Sequence, residues 1–286
     1  MNDVLGGGST THLFAAQQAN RYDRQSIIRA YQEATGANLI VMMDQVFSHG
    51  VTLLQELLVD CRPDKPLHVL LSTPGGDGEV AVRLVRAMQA RCSELVIIIP
   101  DMAKSAGTIM CLGANRILMG PSSDLGPVDP QFPINGRLVG AKEIQQAVED
   151  AEKRIAAAPD TFPLYATLLA DVNMLMVEQA RSAMDRSYSL IEEALECSGM
   201  SSSDASTLVE KLKGPLIDEA KYHGATIGPH AARDLGLPIE LCDSDSQEWQ
   251  LIWALWTRYF HLGVWPNGAA IVYEGAKASQ VHFNTP

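Results

Sequence analysis

Twice in succession a short apolar run ends in a tight turn of small residues that opens a helical pattern, and this repetition limits the fold more than any other feature. The first unit runs from His68-Val69-Leu70-Leu71-Ser72 through Thr73-Pro74-Gly75-Gly76-Asp77-Gly78 into a helical stretch from Glu79 to Ala90. The second begins with Leu95 to Ile99, stopped by Pro100, and passes Ala103, Ser105, Ala106 and Gly107 before Ile109, Met110, Leu112 and Gly113 resume a helical period. Short apolar runs bounded by breakers read as buried strands. Strand–helix alternation of this kind calls for parallel strands joined by right-handed crossovers. Sites in such sheets gather at the C-terminal ends of strands, where both small-residue turns fall.

The remaining segments extend the pattern into an α/β fold with a mainly parallel sheet. Leu39 to Met43 and Ile117 to Met119 read as further strands, and Tyr22 to Thr35 and Val51 to Val59 as helices. From Ala141 to about Leu212 the chain is a helical excursion. Its first helix ends before Pro159 and Pro163, a long helical stretch from Leu164 to Cys197 is broken once, and a polar turn opens a helix over Ala205 to Leu212. A short helix spans His230 to Asp234, with His230 on its surface. Glycines and small polar residues make residues 1–20 a flexible leader, residues 21–245 form the core domain, and the tryptophan-rich extension 246–286 packs on that core or on a partner subunit.

With Lys+Arg at 22 and Asp+Glu at 34, the net charge of -12 and the lack of a basic cluster exclude nucleic acid as the main partner. Cys61, Cys92, Cys111, Cys197 and Cys242 are scattered without CxxC pairing, which argues against a zinc site or a disulfide framework and for a reducing, cytoplasmic setting. No apolar run is long enough for a membrane span. Neither a phosphate loop nor a dinucleotide fingerprint is present, so no cofactor or metal is expected.

A glycine pair after a strand is by itself a turn that only glycine's φ range allows. It can also aim an N–H at a developing oxyanion. Ser105, at or near a helix N-terminus, is equally a cap or a nucleophile. Asp77 and Glu79 read as helix-start residues, with selection of basic substrates as the other option. Asp129, between Pro127 and Pro130, is a rigid turn or a wall of a substrate groove together with Gly126.

Three motifs in order, Thr73-Pro74-Gly75-Gly76, Ala103-Lys104-Ser105-Ala106-Gly107-Thr108 and Leu125-Gly126-Pro127-Val128-Asp129-Pro130-Gln131, resemble the serine dehydrogenase proteinase family. That family is related to the signal peptide peptidase A and Clp serine peptidases, with a crotonase-like repeated ββα core. Tyr222-His223-Gly224-Ala225-Thr226-Ile227 and Ala231 to Leu237 are similar to the family's closing histidine loop and helix. The resemblance covers residues 36–240 in patches. It implies a serine peptidase acting on polypeptides, a homo-oligomer, Ser105 as nucleophile, and an oxyanion hole from Gly75 and Ala106, with Gly76 beside them. It also implies Lys153 as the base of a Ser-Lys dyad, with Lys142 an alternative and His223 a rival base or orienting group. Lys153 is otherwise a solvated lysine four residues from Glu149. Lys104 departs from the apolar or small residue usual before the serine. Two other functions fit the fold: an acyl-thioester enzyme of the crotonase kind, and a non-catalytic oligomeric scaffold.

Overall fold

A computed structural model of the chain describes residues 11–134, 136–218 and 225–283. In chain order its strands are β1 (Asn38–Met43), β2 (Leu67–Ser72), β3 (Leu95–Ile99), β4 (Met102–Ala103), β5 (Arg116–Met119), β6 (Asp124–Leu125), β7 (Gln131–Ile134), β8 (Arg137–Gly140), β9 (Ile239–Leu241), β10 (Ala270–Glu274) and β11 (Ser279–Phe283). The helices are α1 (His12–Thr35), α2 (His49–Val59), α3 (Gly78–Gln89), α4 (Ala106–Leu112), α5 (Ala141–Ala157), α6 (Phe162–Leu168), α7 (Met174–Cys197), α8 (Ser202–Lys213), α9 (Pro229–Asp234) and α10 (Gln247–Leu262). A π-helical turn, Gly214–Asp218, follows α8.

Seven strands form one sheet in the order β11–β10–β1–β2–β3–β5–β9. The run from β1 to β9 is parallel, and β10 and β11 extend it antiparallel on the β1 side. Strand residues alternate between two cores. Ile40, Met42, Val69, Leu71, Ile97 and Ile99 face helices α2, α3, α4, α7 and α8, whereas Leu39, Val41, Met43, Leu70, Val96 and Ile98 face α1 and α10. Burial on both faces is why these strands are continuous apolar runs rather than alternating ones. The mainly parallel α/β fold and the helical excursion over α5 to α8 are as the sequence indicated.

Residues 12–20 differ from the flexible leader expected of them. They belong to α1, whose N-terminus is capped by the Thr11 side chain accepting from Phe14 N–H. No apolar stripe marks this stretch because its side chains are mostly exposed. Further along, long-range polar contacts hold α1 down: Arg21 donates to Lys277 O, Gln25 to Gly275 O, and Arg24 pairs with Glu274. Residues 1–10 lie outside the described residues. The C-terminal extension packs Trp249, Ile252, Leu255, Trp256 and Tyr259 of α10 into the second core. The β10–β11 hairpin that follows was not legible in the sequence.

His68, on β2, lies beneath α1 with Tyr31 Oη 2.7 Å from its Nδ1. Burial, helped by nearby Arg116, lowers the imidazole from its ordinary 6.5 to about 4. Between those values the unfolded chain takes up a proton that the folded chain refuses. Stability is therefore fully present above pH 6.5 and falls as the pH drops from 6.5 to 4, by up to about 3 kcal/mol from this group. Urea midpoints at pH 7.5 and 4.5 should diverge less in His68→Gln than in wild type; an equal divergence would refute the assignment.

Candidate active site

The two glycine and serine turns meet because β2 and β4 continue beyond the main sheet as a pair. Thr73 N–H donates to Met102 O at 3.1 Å and Lys104 N–H to Thr73 O at 3.0 Å. On the opposite side, Val46 N–H donates to Gly75 O and Asp77 N–H to Val46 O, each at 2.8 Å. The Thr73–Asp77 turn is thus held from both flanks. Gly75 has φ 108° and Gly76 φ 147°, which L side chains avoid. Space forbids a side chain as well: a Cβ on Gly75 would lie 2.7 Å from Ser105 Cβ and 2.8 Å from Lys104 O.

Ser105 joins β4 to α4 and has φ 50° and ψ -114°. Among the described residues it alone is a non-glycine residue with positive φ. Its side chain makes no capping bond, so the plain cap reading fails. Ile109 N–H closes on Ser105 O at 3.1 Å, which ties the Ser105 backbone into the first turn of α4. Buried Thr108 ties the next loop to this turn, its hydroxyl 2.9 Å from Ala103 O and 2.8 Å from Gly126 O.

A cleft of about 260 Å³ opens over these residues, lined by Gln45, Pro74, Gly75, Gly76, Ser105, Asp129, Gln131 and Leu138. Within the described residues, the N–H groups of Ala106 and Gly76 have no protein acceptor. Gly75 N–H is engaged, donating to Thr73 Oγ1 at 3.1 Å. Gly76 and Ser105 thus line one cleft, and Ala106 follows Ser105 directly in the chain.

Asp129, buried to 9% exposure, reaches the cleft, and its carboxylate lies near the backbone of Gly140 at the start of α5. Gly126 does not line the cleft. It is buried beneath Lys104, where a Cβ would lie 2.5 Å from Lys104 Cδ. That contact accounts for the unexpected lysine. Its ammonium runs over Gly126 to Asp124 at 2.5 Å and donates to Leu125 O at 3.1 Å and Ala225 O at 3.4 Å, pinning β6 and the returning chain against the serine turn.

Lys153 is not brought to the cleft. Its side chain is 71% exposed and stands 3.7 Å from Glu149. A lysine serves as base only when neutral, which burial achieves; this position offers water and a carboxylate instead. Lys142 sits on the first turn of α5, donating to Asp218 O. His223 lies outside the described residues. Asp77 caps α3 through Glu79 N–H at 2.8 Å and Val80 N–H at 3.2 Å, and Glu79 forks onto Arg186 of α7, so both have structural partners. Gln45 and Leu138 escaped sequence reasoning because neither lies in a motif. Leu138 sits on the short β7–β8 hairpin, 67% exposed.

A serine on a strained turn between a parallel strand and a helix, opposite a glycine turn, defines a serine-hydrolase type of layout. Residues 14–240 match the family of ClpP-like SDH-type serine proteinases, and the chain belongs to that family. An uncharacterized protein of Methanocaldococcus jannaschii, MJ0137, is 27% identical over 177 residues, covering 62% of this chain and 54% of the relative. A second from the same organism, MJ1495, is 24% identical over 133 residues, covering 46% and 39%. The chain thus spans about half the length, or less, of the curated relatives it matches. A solved mutant of the 1510-N membrane-bound stomatin-specific protease aligns at a TM-score of 0.44 and 16% identity, over 73% of this chain and 79% of that one.

Proposed function

We propose that this chain hydrolyses peptide bonds through an acyl-enzyme on Ser105. The observation that carries the reading is the strained serine itself. A non-glycine residue at such a backbone angle costs about 1–3 kcal/mol and persists only where its surroundings enforce it. In this reading Ser105 Oγ attacks the scissile carbonyl carbon and passes its proton to a base. The C=O electron pair moves onto oxygen, where two N–H groups receive it. The tetrahedral adduct collapses, the amine leaves with the proton, and water repeats the sequence on the acyl ester. Membership in a serine proteinase family supports the peptide substrate.

For the amides we propose Ala106 and Gly76. Gly75 is then the residue that lets the turn press against Ser105, because its own N–H already has an acceptor. For the base we propose His223. Support comes from the chain that flanks it: Val128 N–H donates to Leu216 O at 2.8 Å, Ala225 O accepts from Lys104, and Ile227 pairs with Leu125. Each partner adjoins Ser105 or Asp129 in sequence or space. The exposure of Lys153 weighs against the Ser-Lys dyad. Digestion of casein and of a peptide library by wild type and Ser105→Ala tests the core of the reading; equal turnover would remove it.

The same proposal includes self-association in a reducing, cytoplasmic setting. No described helix is long and apolar enough to cross a membrane, and the five cysteines are free thiols. Phe162, Leu164 and Leu168 on α6, with Met174 and Leu175 at the start of α7, are each more than half exposed. Such clustering supports an interface with another copy. Sedimentation velocity should find an oligomer that a Leu164→Glu, Leu168→Glu double variant dissociates; a wild-type monomer at micromolar concentration would end this part of the proposal.

A further inference from the structure

The C-terminal extension lies beyond the residues matched by the family, yet it lines a cavity next to the cleft. After α10 the chain crosses the C-terminal end of β1 before β10 pairs with that strand. There Trp265, Gly268, Ala270 and Ile271 close a second cavity of about 140 Å³ against Met43, Asp44, Gln45 and Pro74. Gln45 and Pro74 line the Ser105 cleft too, so the two spaces share a wall. Pro74 immediately precedes the glycine turn that presses on Ser105.

Chemistry selects the occupant. Small-molecule sites run to about 300–1,000 Å³, so this volume suits one side chain rather than a whole cofactor. Met43, Pro74, Trp265, Ala270 and Ile271 make the walls largely apolar. Asp44 is the charged lining residue, but its side chain is 6% exposed and its oxygens are engaged. Oδ1 accepts from Gln45 N–H at 2.7 Å, and Oδ2 lies 2.7 Å from His49 Nε2 and 3.2 Å from the donating Tyr273 hydroxyl. A lysine or arginine of a substrate would meet a carboxylate that is almost closed off and already bonded at both oxygens. An aliphatic or aromatic side chain needs no such partner and matches the apolar walls.

We propose that this cavity is a specificity subsite, built by the extension, that takes an aliphatic or aromatic side chain of the polypeptide substrate close to the scissile bond. The proposal rests on the peptidase reading of Ser105. Trp265 is its specificity-determining residue, supplying the half-buried aromatic wall.

Two measurements separate the proposal from the reading beneath it. Library digestion by wild type should show an apolar preference at one position near the cut. Trp265→Ala should lower kcat/KM for leucine or phenylalanine there by about tenfold or more, leave peptides with glycine there unchanged, and regain the preference as Trp265→Phe. A uniform fall across all peptides, or no apolar preference in wild type, would overturn the subsite while leaving Ser105 intact. Calorimetric titration of Ser105→Ala with capped leucine-containing and glycine-containing peptides reads the subsite without turnover. Tighter leucine binding that Trp265→Ala abolishes supports the subsite even if no peptide is cleaved, and equal binding of the two peptides would overturn it.

Discussion

Ser105→Ala will lose roughly 10⁴-fold or more of the wild-type peptidase turnover while remaining folded. The hydroxyl oxygen is the atom proposed to form the acyl bond, and nothing else in the cleft lining is a comparable nucleophile: glycines, a proline, amides, a leucine and a carboxylate complete it. A fluorophosphonate label should attach to wild type and not to the variant. The backbone supplies an independent check. Because Ser105 holds φ 50°, Ser105→Gly should be inactive yet more stable by about 1 kcal/mol, as strain is relieved. Within the same experiment His223→Ala should approach the Ser105→Ala level, whereas Lys153→Ala should stay within a few-fold of wild type. A Lys153→Ala variant as inactive as Ser105→Ala would restore the dyad and remove His223.

Glu274→Gln will destabilise the fold by about 3–5 kcal/mol, the usual cost of stranding one partner of a buried ion pair. Glu274 is wholly buried and Arg24 is 5% exposed. Arg24 Nε donates to Oε2 at 2.7 Å and its terminal nitrogen to Oε1 at 3.1 Å; Tyr259 and Ser279 hydroxyls each add a bond of 2.7 Å. Burial and the adjacent carboxylate push the Tyr259 phenol well above its ordinary range. One carboxylate therefore joins α1, α10, β10 and β11, and replacing it leaves a guanidinium without a counter-charge. Thermal unfolding should shift down by roughly 10 °C. An Arg24→Met, Glu274→Leu pair should recover much of that loss, because no charge is then left unmet. A shift below about 1 °C in Glu274→Gln would show that the pair is not a structural clamp.

Strands were legible where both faces are covered. Leu95 to Ile99 is apolar at every position because one set of side chains meets α3 and α4 while the other meets α10. Exposed or polar elements left no such trace. The first turns of α1 are mostly exposed, and the β10–β11 hairpin is held by contacts to residues more than 200 positions away, including Arg21 to Lys277 and Arg24 to Glu274. At the site, the turn residues were readable because glycine at positive φ and a serine among small neighbours are local signatures. The walls were not: Gln45, Leu138 and Trp265 reach their cavities from three separate elements.

By itself the amino-acid sequence determined the parallel α/β frame, the two turns at strand ends and the placement of Ser105 at a strand-to-helix turn, since each depends on local period, backbone freedom and side-chain size. Only the tertiary structure decided which amides lack acceptors, that Lys104 is a brace, that Lys153 faces water, and that the C-terminal extension lines a cavity beside the cleft. Hydrogen-bond occupancy, burial and adjacency are properties of neighbours in space, and for these residues the neighbours come from distant parts of the chain.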